Sequence, residues 1–340
     1  MKILTIDYIT YYGHRNFNKI HVSSLCNLGH NLTLIARKTA IDVLDESNCL
    51  KKYNLPEWST KHYPFASISE RIKGIILLFW IRLNFKLSEY DAILFLSYDV
   101  MSLYFFRTQT PTFLINHNNV AQLNKLIKYK LTKWLPSNYE HVVLTLDSKE
   151  RLEEILRKEV YYVPHGFVDP SLKMNKPSFL DKNEAFLFCP VNRWYDKELI
   201  TSVIESKNVN DYLKKNNIKL VLKQKLYSGE KKEVIVLINN NIQEDEYYYM
   251  MKNALAVILP YNDEFKYRSS GIMFECVAFD EPIIASSIPA IKTYDGMLKI
   301  SFFKEPEDFV KCIEKVQNGN FSATDNTNFI PDLFWNRILN

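Results

Sequence analysis

The segment of residues 254–290 has the residue types and spacing of an anion-binding unit. An apolar run, 256–259, predicts a strand that stops at Pro260, and a second strand is predicted over 283–285. The polar loop between them contains four candidate ligand-binding residues: Arg268, Ser269, Ser270 and Gly271. A helix is predicted to follow this loop, and the unpaired N–H groups and dipole of a helix N-terminus favour negative charge. The segment therefore predicts a βαβ unit that holds a phosphorylated ligand, with plain capping of the helix by serine as the alternative.

One carboxylate, Glu275, lies in the predicted helix, where residues 272–279 are otherwise apolar. Burying an unpaired carboxylate costs several kcal/mol, so Glu275 must face a polar cleft, bind a ligand hydroxyl or pair with a cation. A purely structural ion pair, or a glutamate favoured by the helix dipole, is the alternative.

Two cations follow the first predicted strand of the second half of the chain. Arg193 and Lys197 come after the apolar run 186–189. They would lie at the end of a strand, which is where ligands bind in open α/β sheets. Arginine offers a planar fork to phosphate and lysine a point charge. Both are candidates to hold an anion, with an ordinary solvated loop as the alternative.

Histidines follow two predicted strands in the first half of the chain. His117 comes directly after the strand 112–115, and its ordinary pKa suits proton transfer at neutral pH. Gly13 and His14 follow the first strand and are candidates of the same type. A hydrogen-bonded structural histidine is the alternative in each case.

The elements that must position these residues alternate between strand and helix, which predicts mostly parallel, doubly wound sheets. The predicted strands are 2–6, 32–36, 92–96, 112–115, 141–146, 160–163, 186–189, 219–222, 234–238, 256–259 and 283–285. A proline-containing stretch, 164–183, predicts an interdomain linker. We therefore expect an N-terminal domain over 1–165 and a C-terminal domain over 166–325, facing a central cleft. A last helix within 326–340 is a candidate to pack back on the N-terminal domain.

The composition and the missing motifs exclude several classes of protein. A length of 340 residues is that of two ordinary domains, and a formal charge of +4 does not indicate nucleic-acid binding. The motifs GxGxxG, GxxxxGK[ST], HExxH and GxSxG are absent, which argues against dinucleotide dehydrogenases, P-loop NTPases, zinc proteases and serine hydrolases. Without a DxD motif or another carboxylate cluster, we expect no metal and no other cofactor.

The cysteines and the apolar runs predict a cytoplasmic location. Five scattered cysteines without a CxxC pair argue against disulfides and a zinc site, and favour a reducing compartment. The first residues, MKILTIDYI, read as a strand and not as a signal peptide. The longest apolar run, 75–81, is too short to span a bilayer.

Taken together, these segments resemble the retaining GT-B glycosyltransferases of family 4, which use nucleotide-sugar donors. The similarity covers nearly the whole chain and includes VVLTLDSKERLEEIL leading to VPHG, and the loop of Arg193 and Lys197. Its most specific segments are IQEDEYYYMMKNALAVILPY and FECVAFDEPIIASSIP, which resemble the approach to the donor site and the donor-binding helix. The resemblance implies a fold of two Rossmann-like domains.

The resemblance also implies roles for the candidate residues. Arg193 and Lys197 would hold the donor diphosphate, with help from Ser270 and Gly271, and Glu275 would bind the ribose hydroxyls. His117 resembles the histidine beside the transferred sugar. The implied reaction is a metal-independent hexosyl transfer with retention, in which the acceptor hydroxyl loses its proton to a donor phosphate oxygen.

One position departs from the family pattern. The family often carries a second glutamate eight residues before the donor-site glutamate, and this chain has Tyr267 there. Some members carry Ser-Gly in this loop, as this chain does. Two alternatives stay open: a non-catalytic protein of the same fold that binds a sugar nucleotide or a partner transferase, and a sugar-nucleotide epimerase.

The acceptor side is marked by two basic amphipathic segments, 71–86 and 123–135, which mix lysine and arginine with aromatic residues. Such helices can lie on an anionic membrane surface, and a core-facing helix with solvated lysines is the alternative. The membrane interpretation predicts a peripheral protein on the inner face of the cell membrane. Its acceptor would be a glycan or lipid-linked sugar in surface polysaccharide or glycoconjugate synthesis.

Overall fold

The computed structural model describes residues 1–10, 15–44, 46–60, 66–167, 173–180, 184–230, 232–239, 242–321 and 326–340. The chain divides into two compact units. The first comprises Met1–Gly166, Tyr267–Ser269 and Phe329–Asn340, and the second comprises Phe167–Lys266 and Ser270–Asn328.

The first unit is built on a seven-stranded parallel sheet of order β3-β2-β1-β4-β5-β6-β7. Its strands are β1 (Lys2–Asp7), β2 (Asn31–Ala36), β3 (Leu50–Asn54), β4 (Ala92–Ser97), β5 (Thr112–Asn116), β6 (Tyr139–Val143) and β7 (Tyr161–Tyr162). All six residues of β4 are buried, because helices cover both faces of a parallel sheet.

Six helices of the first unit are α1 (Arg15–Asn27), α2 (Lys38–Ile41), α3 (Ala66–Asn84), α4 (Val100–Leu103), α5 (Leu126–Lys133) and α6 (Leu146–Leu156). Alternate residues of a strand point to opposite faces, so Ile3 and Leu94 enter a different core cluster from Leu4 and Ile93. The helix α3 lies on the Leu4 and Ile93 side, where it contributes Leu77.

The second unit is built on a six-stranded parallel sheet of order β10-β9-β8-β11-β12-β13. Its strands are β8 (Ala185–Cys189), β9 (Ile218–Lys223), β10 (Ile235–Ile238), β11 (Ala256–Leu259), β12 (Ile283–Ser286) and β13 (Ile300–Phe303). Its helices are α7 (Lys197–Glu205), α8 (Lys207–Lys215), α9 (Glu244–Asn253), α10 (Gly271–Phe279), α11 (Pro289–Lys292) and α12 (Pro306–Gln317). The chain order reverses between β8 and β11, and ligands of open sheets bind at the carboxyl ends of strands at such a reversal.

The last helix, α13 (Pro331–Leu339), packs against α1 within the first unit. Trp335 is fully buried there, and its indole Nε1 donates a hydrogen bond to His21 Nδ1 over 3.0 Å. Burial lowers the pKa of His21 to about 3, with a smaller contribution from His165. The neutral ring can therefore accept this hydrogen bond at physiological pH.

The structure corrects the predicted elements in three places. The predicted strand 141–146 is too long, since β6 ends at Val143 and α6 begins at Leu146. The strand β3 was not predicted because its sequence, LKKYN, is mostly polar, as an edge strand with an exposed face allows. The strand β13 was also missed; its four residues are too few for a clear alternation.

The expectation that the cysteines are unpaired is wrong for Cys26 and Cys49, which form a disulfide. Cys26 lies near the end of α1, and Cys49 directly precedes β3. The other three cysteines are free and buried, which agrees with the expectation for them.

Candidate functional site

Glu275 lies on α10 and pairs with a tyrosine of the preceding helix. Tyr247 Oη donates a hydrogen bond to Glu275 Oε2 over 2.5 Å. Burial raises the pKa of Glu275 to about 7; the bond from Tyr247 and the charge of Lys223 oppose this shift, while the charge of Glu244 adds to it. The carboxyl group therefore titrates near neutral pH. The Glu275 side chain as a whole is half-buried, so part of it stays accessible to solvent.

Lys223 is the last residue of β9 and is buried. Burial lowers its pKa, the charge of Lys225 lowers it further, and Cys189 and Glu275 oppose the shift. Sequence reasoning missed Lys223, Lys225 and Tyr247. The signal that could have identified the lysines is the Lys-Gln-Lys sequence at the end of an apolar strand, the same pattern that identified Arg193.

Arg193 is exposed in the loop that follows β8. Its charge lowers the pKa of Lys225, after burial as the larger cause. The next residue, Trp194, has a φ of +56°, which is uncommon outside glycine and marks a tightly specified loop. The structure thus brings Arg193 and Lys225 within electrostatic reach at the carboxyl ends of the adjacent strands β8 and β9.

Lys197 is the first residue of α7 and lines a cavity of about 880 Å³ in the second unit. Lys304 lines the same cavity, together with four carboxylates: Asp196, Glu198, Asp263 and Glu264. Arg193 is not among the described residues that line it. Because carboxylates outnumber cations, this surface is less suited to a diphosphate than the surroundings of Arg193.

Ser270 caps α10, as the alternative interpretation of this loop predicted. Its buried hydroxyl accepts a hydrogen bond from the Met273 N–H over 3.1 Å and lies 2.9 Å from Tyr261 Oη. The Ser270 hydroxyl therefore stabilises the N-terminus of α10. Gly271 is the first residue of α10, so its N–H belongs to the helix end that favours an anion.

The residues just before this cap belong to the first unit. Arg268 Nη1 donates a hydrogen bond to Asn118 Oδ1 over 2.6 Å. Tyr267 has a φ of +62° and packs against the apolar cluster of Val120 and Leu123. Ser269 Oγ is buried without a hydrogen-bond partner among the described residues. The structure thus separates the predicted loop into two parts, with Arg268 and Ser269 in one unit and Ser270 and Gly271 in the other.

His117 follows β5, as predicted, and its ring Nε2 lies 3.0 Å from the backbone oxygen of Leu96. A carbonyl only accepts hydrogen bonds, so this nitrogen carries the proton. The ring also contacts Phe17 edge-on, with 4.2 Å between the ring centres. Gly13 and His14 lie outside the described residues.

One side of α3 exposes a row of large apolar side chains at helical spacing. We call this row the α3 stripe; it consists of Ile68, Ile72, Ile76, Phe79 and Leu83. The opposite side of α3 is buried through Leu77, Leu78 and Ile81. The alternative prediction, a helix that faces the core with solvated lysines, therefore describes only this side. The nearby segment of α5 exposes Leu126, Ile127 and Trp134. In the part of the chain that the structure describes, no helix is long and apolar enough to cross a membrane.

Comparison with known proteins shows the fold. No protein-family model matches the chain, and no curated protein matches its sequence. A lipopolysaccharide outer core galactosyltransferase, WaaB, in its apo form shares 13% identity at a TM-score of 0.57, with 100% of this chain and 99% of that one covered. Anabaena Alr3699/HepE in complex with UDP-glucose shares 12% sequence identity at a TM-score of 0.59, with 97% of this chain and 93% of that one covered.

A UDP-GlcNAc 2-epimerase from Methanocaldococcus jannaschii is similar to the same extent, with 12% identity at a TM-score of 0.57 and 100% and 99% of the chains covered. These similarities and the two parallel sheets show that the chain has the GT-B fold, which confirms the predicted fold class. At such identities the comparison extends to the fold alone. Retention and membership of family 4 stay predictions.

Proposed function

We propose that the protein is a glycosyltransferase that moves a sugar from a nucleotide-sugar donor to a glycan or lipid-linked acceptor. The observation that carries this proposal is a series of electrostatic neighbours that begins at the carboxyl ends of β8 and β9. Arg193 acts on Lys225, Lys225 acts on Lys223, and Lys223 acts on Glu275 of α10. A half-buried carboxylate beside cations at the reversal of a parallel sheet suits a nucleoside diphosphate. The ribose hydroxyls would donate to Glu275, and the diphosphate would bind Arg193, Lys225 and the N–H of Gly271.

In this proposal the transfer proceeds with retention and without a metal. The bond between the sugar anomeric carbon and the donor diphosphate breaks, and a bond to the acceptor oxygen forms on the same face. The acceptor proton passes to a phosphate oxygen, and the nucleoside diphosphate leaves. The cations and the helix end stabilise the charge that grows on this leaving group. The placement of His117 beside the sugar stays a prediction.

The α3 stripe supports the membrane part of the proposal. Exposed apolar rows of this length are uncommon on a protein that meets only water. Lys125, Lys130 and Lys133 lie near the exposed apolar residues of α5 and would attract anionic headgroups. We therefore propose peripheral binding to the inner face of a membrane that carries the acceptor, in surface polysaccharide or glycoconjugate synthesis.

Thermal stabilisation by a panel of nucleoside diphosphates and their sugars tests the donor site. We expect one nucleotide series to stabilise the protein, and Arg193→Ala and Glu275→Ala to abolish the effect. Lys197→Ala is the matched comparison, because its cavity is rich in carboxylates, and it should retain most of the stabilisation. Arg151→Ala, at an exposed site of the first unit, is the neutral control. The donor site is excluded if no nucleotide stabilises the wild-type protein.

Product analysis separates the enzymatic alternatives. Some proteins of this fold are named as UDP-N-acetylglucosamine 2-epimerases, so sugar-nucleotide epimerisation is the second candidate function. The donor that binds is incubated without acceptor and followed by NMR. Slow release of free sugar supports a transferase, a new sugar nucleotide supports an epimerase, and an unchanged donor supports a binding protein.

A further inference from the structure

The first unit contains a cavity that no part of the proposed donor site uses. Its volume is about 330 Å³, which is at the lower end of small-ligand pockets. It lies beside the carboxyl ends of β1 and β2, with α3 and the start of α4 as its other walls. The lining residues are Tyr8, Ile9, Arg37, Glu70, Arg71, Lys73, Gly74, Leu77, Asp99 and Ser102.

Both carboxylates of this cavity already have partners. Glu70 Oε1 accepts from the buried Lys73 Nζ over 2.6 Å. Asp99 Oδ2 accepts from the N–H groups of Met101 and Ser102 at the start of α4, and Asp99 Oδ1 lies 3.6 Å from Lys128 Nζ. Neither Glu70 nor Asp99 forms an ion pair with Arg71.

Arg71 is a cation of this cavity that belongs to neither of these ion pairs. It is half-buried in the cavity wall and makes no hydrogen bond or ion pair with any residue that the structure describes. Its charge reaches Lys128, whose pKa is lowered by burial first and is lowered further by Arg71, while Asp99 opposes the shift. The guanidinium of Arg37 is buried in the same wall and donates to the backbone oxygen of Thr10 over 2.9 Å.

An excess of positive charge in a partly enclosed cavity is unfavourable, because like charges repel strongly where water is scarce. A bound anion would remove this repulsion. The hydroxyls of Tyr8 and Ser102, 2.8 Å apart, add polar groups to the same wall. Arginine in particular matches the oxygen spacing of phosphate.

We infer that this cavity binds a phosphate or diphosphate group, and that the group belongs to the acceptor. The assignment to the acceptor rests on the proposed function, whereas the anion site itself does not. Two sources share this chemistry: a soluble sugar phosphate and a sugar linked to a lipid diphosphate. The second source would bring its lipid to the α3 stripe, since Arg71 and Ile72 are neighbours on the same helix.

The anion site is tested by calorimetric titration with inorganic pyrophosphate in an Arg193→Ala background, which removes the proposed donor-site contact. We expect binding to persist and to weaken by about tenfold or more when Arg71→Gln is added. Arg82→Gln is the matched control, because Arg82 lies on the same helix and does not line the cavity. No binding in the Arg193→Ala background, or equal binding with and without Arg71→Gln, overturns the inference.

The source of the phosphate is distinguished with two further ligands, glycerol 3-phosphate in solution and a polyprenyl diphosphate in vesicles of neutral phospholipid. If only glycerol 3-phosphate binds in an Arg71-dependent way, the acceptor is soluble. If only the polyprenyl diphosphate does, the acceptor is linked to a lipid. Either result supports the anion site. Nucleotide stabilisation should be unchanged in Arg71→Gln. If no nucleotide binds but Arg71-dependent pyrophosphate binding holds, the anion site stands and its assignment to an acceptor falls.

Discussion

Tyr247 Oη donates a hydrogen bond to Glu275 Oε2 over 2.5 Å, and the two side chains come from consecutive helices of one unit. The bond favours the ionised carboxylate, whereas burial disfavours it and dominates, which raises the pKa of Glu275 to about 7. Stability and ligand binding should therefore both depend on pH near neutrality.

Glu275→Gln is expected to stabilise the protein at alkaline pH and to change its stability little at acidic pH. The folded-state pKa of Glu275, about 7, lies above its ordinary value of 4.5, because the folded protein favours the protonated carboxyl group. The stability that this protonated group contributes at low pH is lost as the pH rises through the folded-state pKa. One pKa unit corresponds to about 1.36 kcal/mol, so the gain near pH 8 should be on the order of 1 to 3 kcal/mol. Urea unfolding near pH 4 and near pH 8 measures it. A gain or loss of equal size at both pH values contradicts the expectation.

Tyr247→Phe is expected to move nucleotide binding to higher pH. The variant removes the bond that lowers the pKa of Glu275, so this pKa should rise further and the ionised form that accepts ribose hydroxyls should need a higher pH. Calorimetric titration with the stabilising nucleoside diphosphate across neutral pH follows the midpoint. Tyr249→Phe, two residues along the same helix, is the control and should leave the midpoint in place. An unmoved midpoint in Tyr247→Phe would show that Glu275 does not control binding.

Gly166→Ala is expected to destabilise the first unit. Gly166 has a φ of +76°, and a Cβ there would lie 2.5 Å from Ile20 Cγ2 and 2.9 Å from Pro331 Cγ. Both the backbone strain and the clash oppose the alanine, so we expect a loss of about 2 kcal/mol or more in urea unfolding. Gly29→Ala is the control, since its φ is +79° but nothing lies within 4 Å of the added atom. Equal losses in the two variants would mean that strain alone decides the cost.

The double substitution Phe79→Ser with Leu83→Ser is expected to weaken binding to anionic vesicles by about tenfold or more, because it removes two members of the α3 stripe. Sedimentation with vesicles measures this, and circular dichroism checks that the fold is intact. Leu333→Ser, at an exposed apolar position on α13, is the control. Undiminished vesicle binding by the double variant would exclude the stripe as the docking surface.

Most strands were predictable because their apolar residues are contiguous in the chain, as in β4 and β11, where every residue is buried. The carboxylate of Glu275 was recognisable for the same reason, as a charge among apolar neighbours. Its partner was not, since Tyr247 precedes it by 28 residues and lies on another helix. The disulfide was missed because only the packing of α1 beside β2, which pairs with β3, brings Cys26 to Cys49.

The βαβ unit over residues 254–290 was identifiable from sequence because strand, loop, capping serine and helix are local features, whereas anion binding there stays a prediction. Tertiary structure alone decided which charges meet. It placed Lys223 within electrostatic reach of Glu275, put Lys197 among carboxylates, and left Arg71 without a partner among the described residues. The reason is physical: burial and the distances between charges set a side chain's electrostatics, and residues far apart in the chain determine both.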